Sequence, residues 1–210
     1  GAMLKGGVTE LEVYQNLKVS IIPTGSELVK PAQKKEKGQL VDFNTTMLKL
    51  AAQNLGCTVH DFDIVPDDYE QIKRAVEKAV ADSDITIINA GSSAGKEDYT
   101  LSILRELGEV FVHGVDIMPG KPLIIAEVDE KAVIGLPGYP LSALLDFHLF
   151  VEPLVKKMLG LNYELPDKVR AEVKKKLPST AGLKEFIRVN LAEINDQLLA
   201  LPQKRGSATM

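Results

Sequence analysis

Apolar positions along this chain alternate between short continuous runs and faces that repeat at helical spacing. Val19-Ser20-Ile21-Ile22 is a β-branched run stopped by Pro23-Thr24-Gly25, the pattern of a buried strand ending in a turn. Asp42 or Asn44 is placed to cap a helix in which Phe43, Met47, Leu48, Ala51 and Leu55 recur until Gly56 stops it. Thr58 to Phe62 predicts a second strand. Pro66-Asp67-Asp68 then opens a helix carrying Tyr69, Ile72, Val76, Ala79 and Val80 on one face. Ile85-Thr86-Ile87-Ile88 is nearly all apolar, as in parallel strands covered on both faces, and a helix bearing Leu101, Leu104 and Leu107 follows. This repetition predicts right-handed βαβ units and an α/β fold with helices on both faces of a mostly parallel sheet.

The texture shifts after Gly108. Glu109 to Val115 and Pro122 to Val128 predict strands around Met118-Pro119-Gly120-Lys121-Pro122, adding a hairpin to the sheet. Ala132-Val133-Ile134 enters a loop from Gly135 to Pro140, which launches a long amphipathic helix through Leu144, Leu145, His148, Val151, Leu154, Val155 and Met158. From Lys168 onward, Val169 to Val173, Phe186 to Leu191 and Leu198 to Leu201 alternate in β fashion. Three such strands are too few for an independent domain, so an incomplete β module is expected, docked on the first domain or cut short. The expected division is residues 1–15 as a tag remnant (Gly1-Ala2-Met3) and the exit from a missing N-terminal domain. An α/β domain over 16–162 and a β module over 163–210 complete it.

Composition narrows the function classes. With 25 Lys and Arg against 29 Asp and Glu, the 210-residue chain carries a mild negative charge, which argues against a nucleic-acid or membrane-surface partner. No apolar stretch reaches bilayer-spanning length. A single cysteine, Cys57, excludes an intrachain disulfide, and without a secretory signal the simplest compartment is a reducing cytoplasm.

In open α/β sheets ligands bind at the carboxyl ends of the strands, which here means the loops Thr24 to Glu27, Gly91 to Asp98 and Gly135 to Pro140. The glycine-rich run after Asn89 can present backbone N–H groups to an anion, although a simple strand–helix turn accounts for its spacing equally well. It is neither a Walker loop nor a dinucleotide fingerprint. Glu27, Asp42 and Asp98 are placed to converge as hard oxygen ligands for a Mg²⁺ that bridges phosphates, while each alone is more often a cap or a surface acid. His60, His113 and His148 share no ligand spacing and Cys57 has no sulfur partner, which disfavours zinc. His148 reads as a partly buried structural residue. Lys34, Lys35, Lys37 and the run Lys174-Lys175-Lys176 read as solvated, the last along a strand edge.

Five motifs in order resemble the molybdopterin molybdenumtransferase family, the MoeA and gephyrin E-domain group. They are Thr24-Gly25-Ser26-Glu27-Leu28, Asp42-Phe43-Asn44, Gly91-Ser92-Ser93-Ala94-Gly95 with Asp98-Tyr99, Pro119-Gly120-Lys121-Pro122, and Gly135 through Ala143. The Gly-Ser-Ser-Ala-Gly form and His113-Gly114-Val115 look like a subgroup fused to a periplasmic-binding-like domain, absent here. The resemblance implies a three-layer α/β domain shared with MogA-type adenylyltransferases, then a small β-barrel domain. It implies insertion of molybdate into adenylylated molybdopterin with release of AMP, assisted by Mg²⁺ or another divalent cation, in a homodimer. Glu27, Asp42 and Asp98 would surround the metal, with Lys121 neutralising phosphate. Thr24, Gly25, Asn44, Gly91, Ser92, Ser93, Gly95, Pro137, Gly138, Pro140, Ser142, Arg188 and Ser207 would contact substrate. Gly114 and Met118 stand at commonly basic positions, which puts turnover in question and leaves two alternatives: a non-catalytic pterin- or molybdate-binding module, and a MogA-type adenylyltransferase.

Overall fold

The computed structural model describes residues 1–90, 99–162 and 167–203. After a one-turn helix α1 (Ala2–Lys5) come β1 (Lys18–Thr24), the short strands β2 (Leu28–Val29) and β3 (Leu40–Val41), and α2 (Asn44–Asn54). Next are β4 (Thr58–Asp61), α3 (Tyr69–Asp82), β5 (Ile85–Ala90) and α4 (Tyr99–Leu107). β6 (Glu109–His113), β7 (Ile117–Met118), β8 (Ile124–Val128) and β9 (Lys131–Pro137) follow. α5 (Pro140–Asp146) and α6 (Glu152–Met158) flank a π-helical turn, Phe147–Val151, and β10 (Lys184–Glu185), β11 (Val189–Ile194) and β12 (Gln197–Pro202) come last.

The main sheet has the order β4-β1-β5-β9-β8-β6. β4, β1, β5 and β9 run parallel, while β8 lies antiparallel to both β9 and β6, so the predicted βαβ units and added antiparallel strands are present. Neighbouring residues of one strand serve opposite faces. Ile21 and Ile87 pack with Leu48, Ala52, Phe147 and Val151 from α2 and the α5–α6 helix. Ile22 and Ile88 pack on the other face with Ile72, Val76, Ile103 and Leu104 from α3 and α4. The near-continuous apolar run in β5 is thus explained by two covered faces, and the fold is a three-layer α/β sandwich.

Local chemistry fixes the helix ends. Asp42 Oδ1 accepts the Thr45 N–H at 3.1 Å and Asp68 Oδ1 accepts the Gln71 N–H at 2.9 Å, each capping a first turn. Gly56 takes φ +84° beyond α2, the left-handed stop expected of a glycine there.

Several boundaries differ from the sequence reading. β9 runs on through Gly135, Leu136 and Pro137, shortening the expected loop to Gly138-Tyr139, because Gly135 pairs with Ile88 on one side and Ile124 on the other. The glycine signals crowding there, since a Cβ would lie 3.2 Å from the Ile124 Cβ. β1 likewise continues through Pro23 and Thr24. His148 is exposed, not partly buried, and its ring lies 2.8 Å from the Glu152 carboxylate. The wide π turn precedes Pro153, whose ring cannot accept the ordinary bond pattern with Leu149, and the extra residue rotates later side chains around the axis. Val169 to Val173 is not a strand: Glu172 alone bridges to Leu199, while Val169 stays exposed. Lys174 to Lys176 are exposed as expected but lie outside any strand. β11 and β12 form an antiparallel pair, and β10 pairs parallel with β7.

Asp146 is the unanticipated residue of this architecture. It is fully buried, neither carboxyl oxygen has a hydrogen-bond partner among the described residues, and burial pushes the carboxyl up to about 8. A Cβ on Gly120, which sits at φ +110°, would fall 2.0 Å from Asp146 Oδ1, so only glycine lets the Pro119–Lys121 turn close over the acid.

Two outcomes follow from this packing. Between 3.8 and about 8 the unfolded chain has released the proton that folded Asp146 keeps, so its contribution makes stability fall as pH rises through that window and level off above it. Asp146→Asn should flatten that fall, and in urea titrations at pH 5 and pH 8 its advantage over the parent should grow by roughly 2–4 kcal/mol. In the same assay Ile134→Ala, at a fully packed site of β9, should cost about 2–4 kcal/mol, whereas Phe111→Ala on exposed β6 should cost roughly 0.5 kcal/mol or less.

Candidate functional site

A cavity of about 410 Å³ opens at the carboxyl ends of β5 and β9, where α2 begins. Its polar floor is a relay of side-chain amides. The Asn44 Nδ2 donates to Asn89 Oδ1 at 3.0 Å and to the Gly138 carbonyl at 2.7 Å. The Asn89 Nδ2 in turn donates to the Pro137 carbonyl at 2.9 Å. These bonds fix both amide orientations, because either flip would set an oxygen against oxygen. Asn44 Oδ1 is left buried with no partner among the described residues, and Asn44 as a whole is 8% exposed.

The walls come from elements flanking that relay. Glu27 and Leu28 follow β1, and the small parallel pair β2–β3 holds Leu40 and Val41 beside them through the Leu40 N–H to Glu27 carbonyl bond at 2.8 Å. Asp42, Phe43, Tyr139 and Pro140 complete the wall. Asp42 is buried and already spends Oδ1 on the α2 cap, whereas the Glu27 carboxylate, half-buried, makes no hydrogen bond or ion pair among the described residues. Lys35 also lines the cavity, so its assignment to a merely solvated surface is corrected: the exposed loop from Pro31 to Gln39 folds so that this side chain reaches the site.

Of the predicted site residues, the structure gathers Glu27, Asp42, Asn44, Gly138 and Pro140 around one cavity, with the Pro137 carbonyl beneath it. Thr24 is buried at the end of β1 and bridges to Val65, while Gly25 lines a separate shallow depression with Ser26. Ser142 is buried in the first turn of α5, Lys121 is exposed on the turn above Asp146, and Arg188 precedes β11; none lines this cavity. Asp98, Gly91, Ser92, Ser93, Gly95 and Ser207 lie outside the described residues. Sequence reasoning passed over Asn89, Phe43 and Tyr139 as site residues. The available signal for Asn89 was a buried amide closing an otherwise apolar strand at its ligand-facing end.

Among the described residues no group of three His, Cys, Asp or Glu side chains is gathered to hold a metal ion. Glu27 and Asp42, both facing one cavity, supply the hard oxygen donors that a divalent cation prefers, as a partial ligand set.

Comparison with known proteins shows the family of the fold. A family model described as "Probable molybdopterin binding domain" matches residues 20–157, spanning the sheet and both helical layers. A molybdopterin molybdenumtransferase from Haemophilus influenzae is 33% identical over 192 residues, covering 91% of this chain and 47% of that protein. One from a Nostoc species is 36% identical over 156 residues, covering 72% of this chain and 36% of the relative. The chain therefore spans about half or less of the length of these curated relatives. The crystal structure of a molybdopterin biosynthesis MoeA protein from Pyrococcus horikoshii superposes with a TM-score of 0.83 at 37% identity, over 98% of this chain and 50% of that one. A molybdenum cofactor biosynthesis protein B, at 20% identity and TM-score 0.54, shares the fold over 70% of the chain. With the family match running from β1 into α6 and the cavity at the carboxyl ends of its parallel strands, this chain belongs to the molybdopterin-binding domain family of molybdenum cofactor biosynthesis.

Proposed function

We propose that the cavity binds molybdopterin or its adenylylated form, and that the full protein inserts molybdate into it with release of AMP. The observation that carries this reading is the convergence of Glu27, Asp42, Asn44 and Gly138, drawn from three motifs, on one cavity. A polyanionic ligand beside two carboxylates needs a cation between them, so Glu27 and Asp42 would hold Mg²⁺ or another divalent ion, joined by Asp98. When bound, that ion neutralises phosphate charge and polarises the anhydride.

The chain's own groups do the positioning. Asn44 locks the start of α2 to the loop after β9, so the acceptors on both sides keep one spacing. Asp42 holds its orientation through the Thr45 amide, leaving Oδ2 for the cation. Lys121, Thr24, Gly25, Ser142, Arg188, Ser207 and the Gly91, Ser92, Ser93 and Gly95 loop are assigned substrate contacts in this scheme through their motif positions. The full protein is assigned to the cytoplasm and to a homodimer. The buried Cys57 thiol, raised by desolvation, suits a reducing compartment.

A non-catalytic binding module is the second reading, favoured by Gly114 and by Met118, which is 46% exposed where a cation would serve an anionic ligand. A MogA-type adenylyltransferase is disfavoured by β10 to β12, which extend the chain past the shared fold.

Calorimetric titration with adenylylated molybdopterin should show saturable binding that tightens with Mg²⁺. Glu27→Gln should abolish most of that tightening, at least about tenfold, with an unchanged melting temperature because the Glu27 carboxylate makes no hydrogen bond or ion pair among the described residues. A folded chain that binds neither molybdopterin form would refute the proposal. AMP release with molybdate present separates the enzyme from the binding module.

A further inference from the structure

Phe43 and Tyr139 both line the cavity, yet they are 44% and 45% exposed. Each aromatic residue adjoins one end of the same part-buried hydrogen bond. Phe43 precedes Asn44, Tyr139 follows Gly138, and the Asn44 amide donates to the Gly138 carbonyl at 2.7 Å. That bond, with the Asn89 link to the Pro137 carbonyl, pins two otherwise separate segments at their aromatic positions. Water-facing rings set at such a mouth are costly as surface and useful as a platform for another flat group.

The floor beneath them is rich in acceptors. The amide N–H groups of Asn44 are spent on Asn89 and Gly138, and Asn89 spends its own on Pro137. What remains is Asn44 Oδ1, buried and without a partner among the described residues, beside carbonyl oxygens with spare lone pairs. A phosphate brings only acceptors and charge to such a floor. A planar heterocycle with ring N–H and amino donors brings what the floor lacks, since an unmatched buried acceptor is penalised until a donor reaches it.

Resting on the molybdopterin reading above, we propose that this part of the cavity is the subsite for the ligand's pterin ring. Phe43 and Tyr139 pack on the ring, and its N–H edge meets the Asn44 floor. Recognition of the heterocycle here is independent of the divalent cation. The phosphate-bearing end extends away from the amide relay.

The probe is 6-hydroxymethylpterin, a phosphate-free pterin whose fluorescence is quenched on stacking, titrated into the 210-residue chain with EDTA present. Saturable quenching is expected. Phe43→Ala and Tyr139→Ala should each weaken it about tenfold, while Phe43→Trp and Tyr139→Phe retain it. Both sites are exposed, so melting temperatures of the variants should match the parent and separate lost stacking from lost folding. Inorganic pyrophosphate with Mg²⁺ should bind parent and alanine variants alike. Pterin binding indifferent to both alanine variants would overturn the subsite. So would failure of the pterin to bind while adenylylated molybdopterin still does, an outcome that leaves the proposed function standing. Aromatic-dependent pterin binding without binding of adenylylated molybdopterin would support the subsite and refute the larger reading.

Discussion

Two asparagine side chains hold the ligand-facing end of this sheet together. Parallel strands deliver loops to one edge, but nothing in the ladder itself sets the spacing between loops from different βαβ units. Asn44 does so by donating to Asn89 at the end of β5 and to Gly138 after β9, and Asn89 adds the Pro137 carbonyl. The bonds of the relay are buried or part-buried, where an unmade bond is penalised by the desolvation of its partner, so the three segments are held at one spacing. The positions of Asp42, Phe43, Tyr139 and Pro140 are all set within two residues of that relay.

The same arrangement explains an electrostatic bias. Amide donors are consumed internally, while carboxylates line the cavity: among the described residues Glu27 has no counter-ion, Asp42 has one oxygen spent, and Asn44 Oδ1 lies buried without a partner. Carboxylates and an unpaired acceptor favour a cation or a donor edge over a bare anion on electrostatic grounds. Lys35, brought in by the loop between β2 and β3, supplies positive charge on the opposite side of the balance.

The layered fold was legible because its central strands are buried on both faces. Ile21-Ile22 and Ile87-Ile88 declare parallel strands by being apolar at successive positions, and the faces of α2 and α3 repeat with the helical period. Boundaries failed where punctuation residues did structural work. Gly135 and Pro137 look like a loop, but they continue β9, the glycine where a Cβ would crowd Ile124 at 3.2 Å. His148 was misjudged because a π turn ahead of Pro153 breaks the 3.6-residue period on which the inference stood. In the candidate site, the acids and glycines were visible as motif residues. Asn89 was not, since a buried amide has no periodic signature and its value lies in partners 45 and 48 residues away.

Asp146 shows the converse, a residue that patterning would discard as a polar interruption of a helix face. Its carboxyl sits fully buried against Gly120, and no compensating charge acts on it; desolvation alone raises it to about 8. A group kept neutral in this way behaves at neutral pH as a compact, weakly polar filler beneath the Pro119–Lys121 turn. Stability is sacrificed as the medium becomes alkaline, because the unfolded chain sheds the proton freely and the folded one does not. The turn that carries Lys121 therefore rests on an uncharged acid, while the cavity a short distance along the same helix, beyond Pro140, is lined by Glu27 and Asp42. Burial distinguishes the two: Glu27 keeps access to water and to a cation, and Asp146 keeps neither.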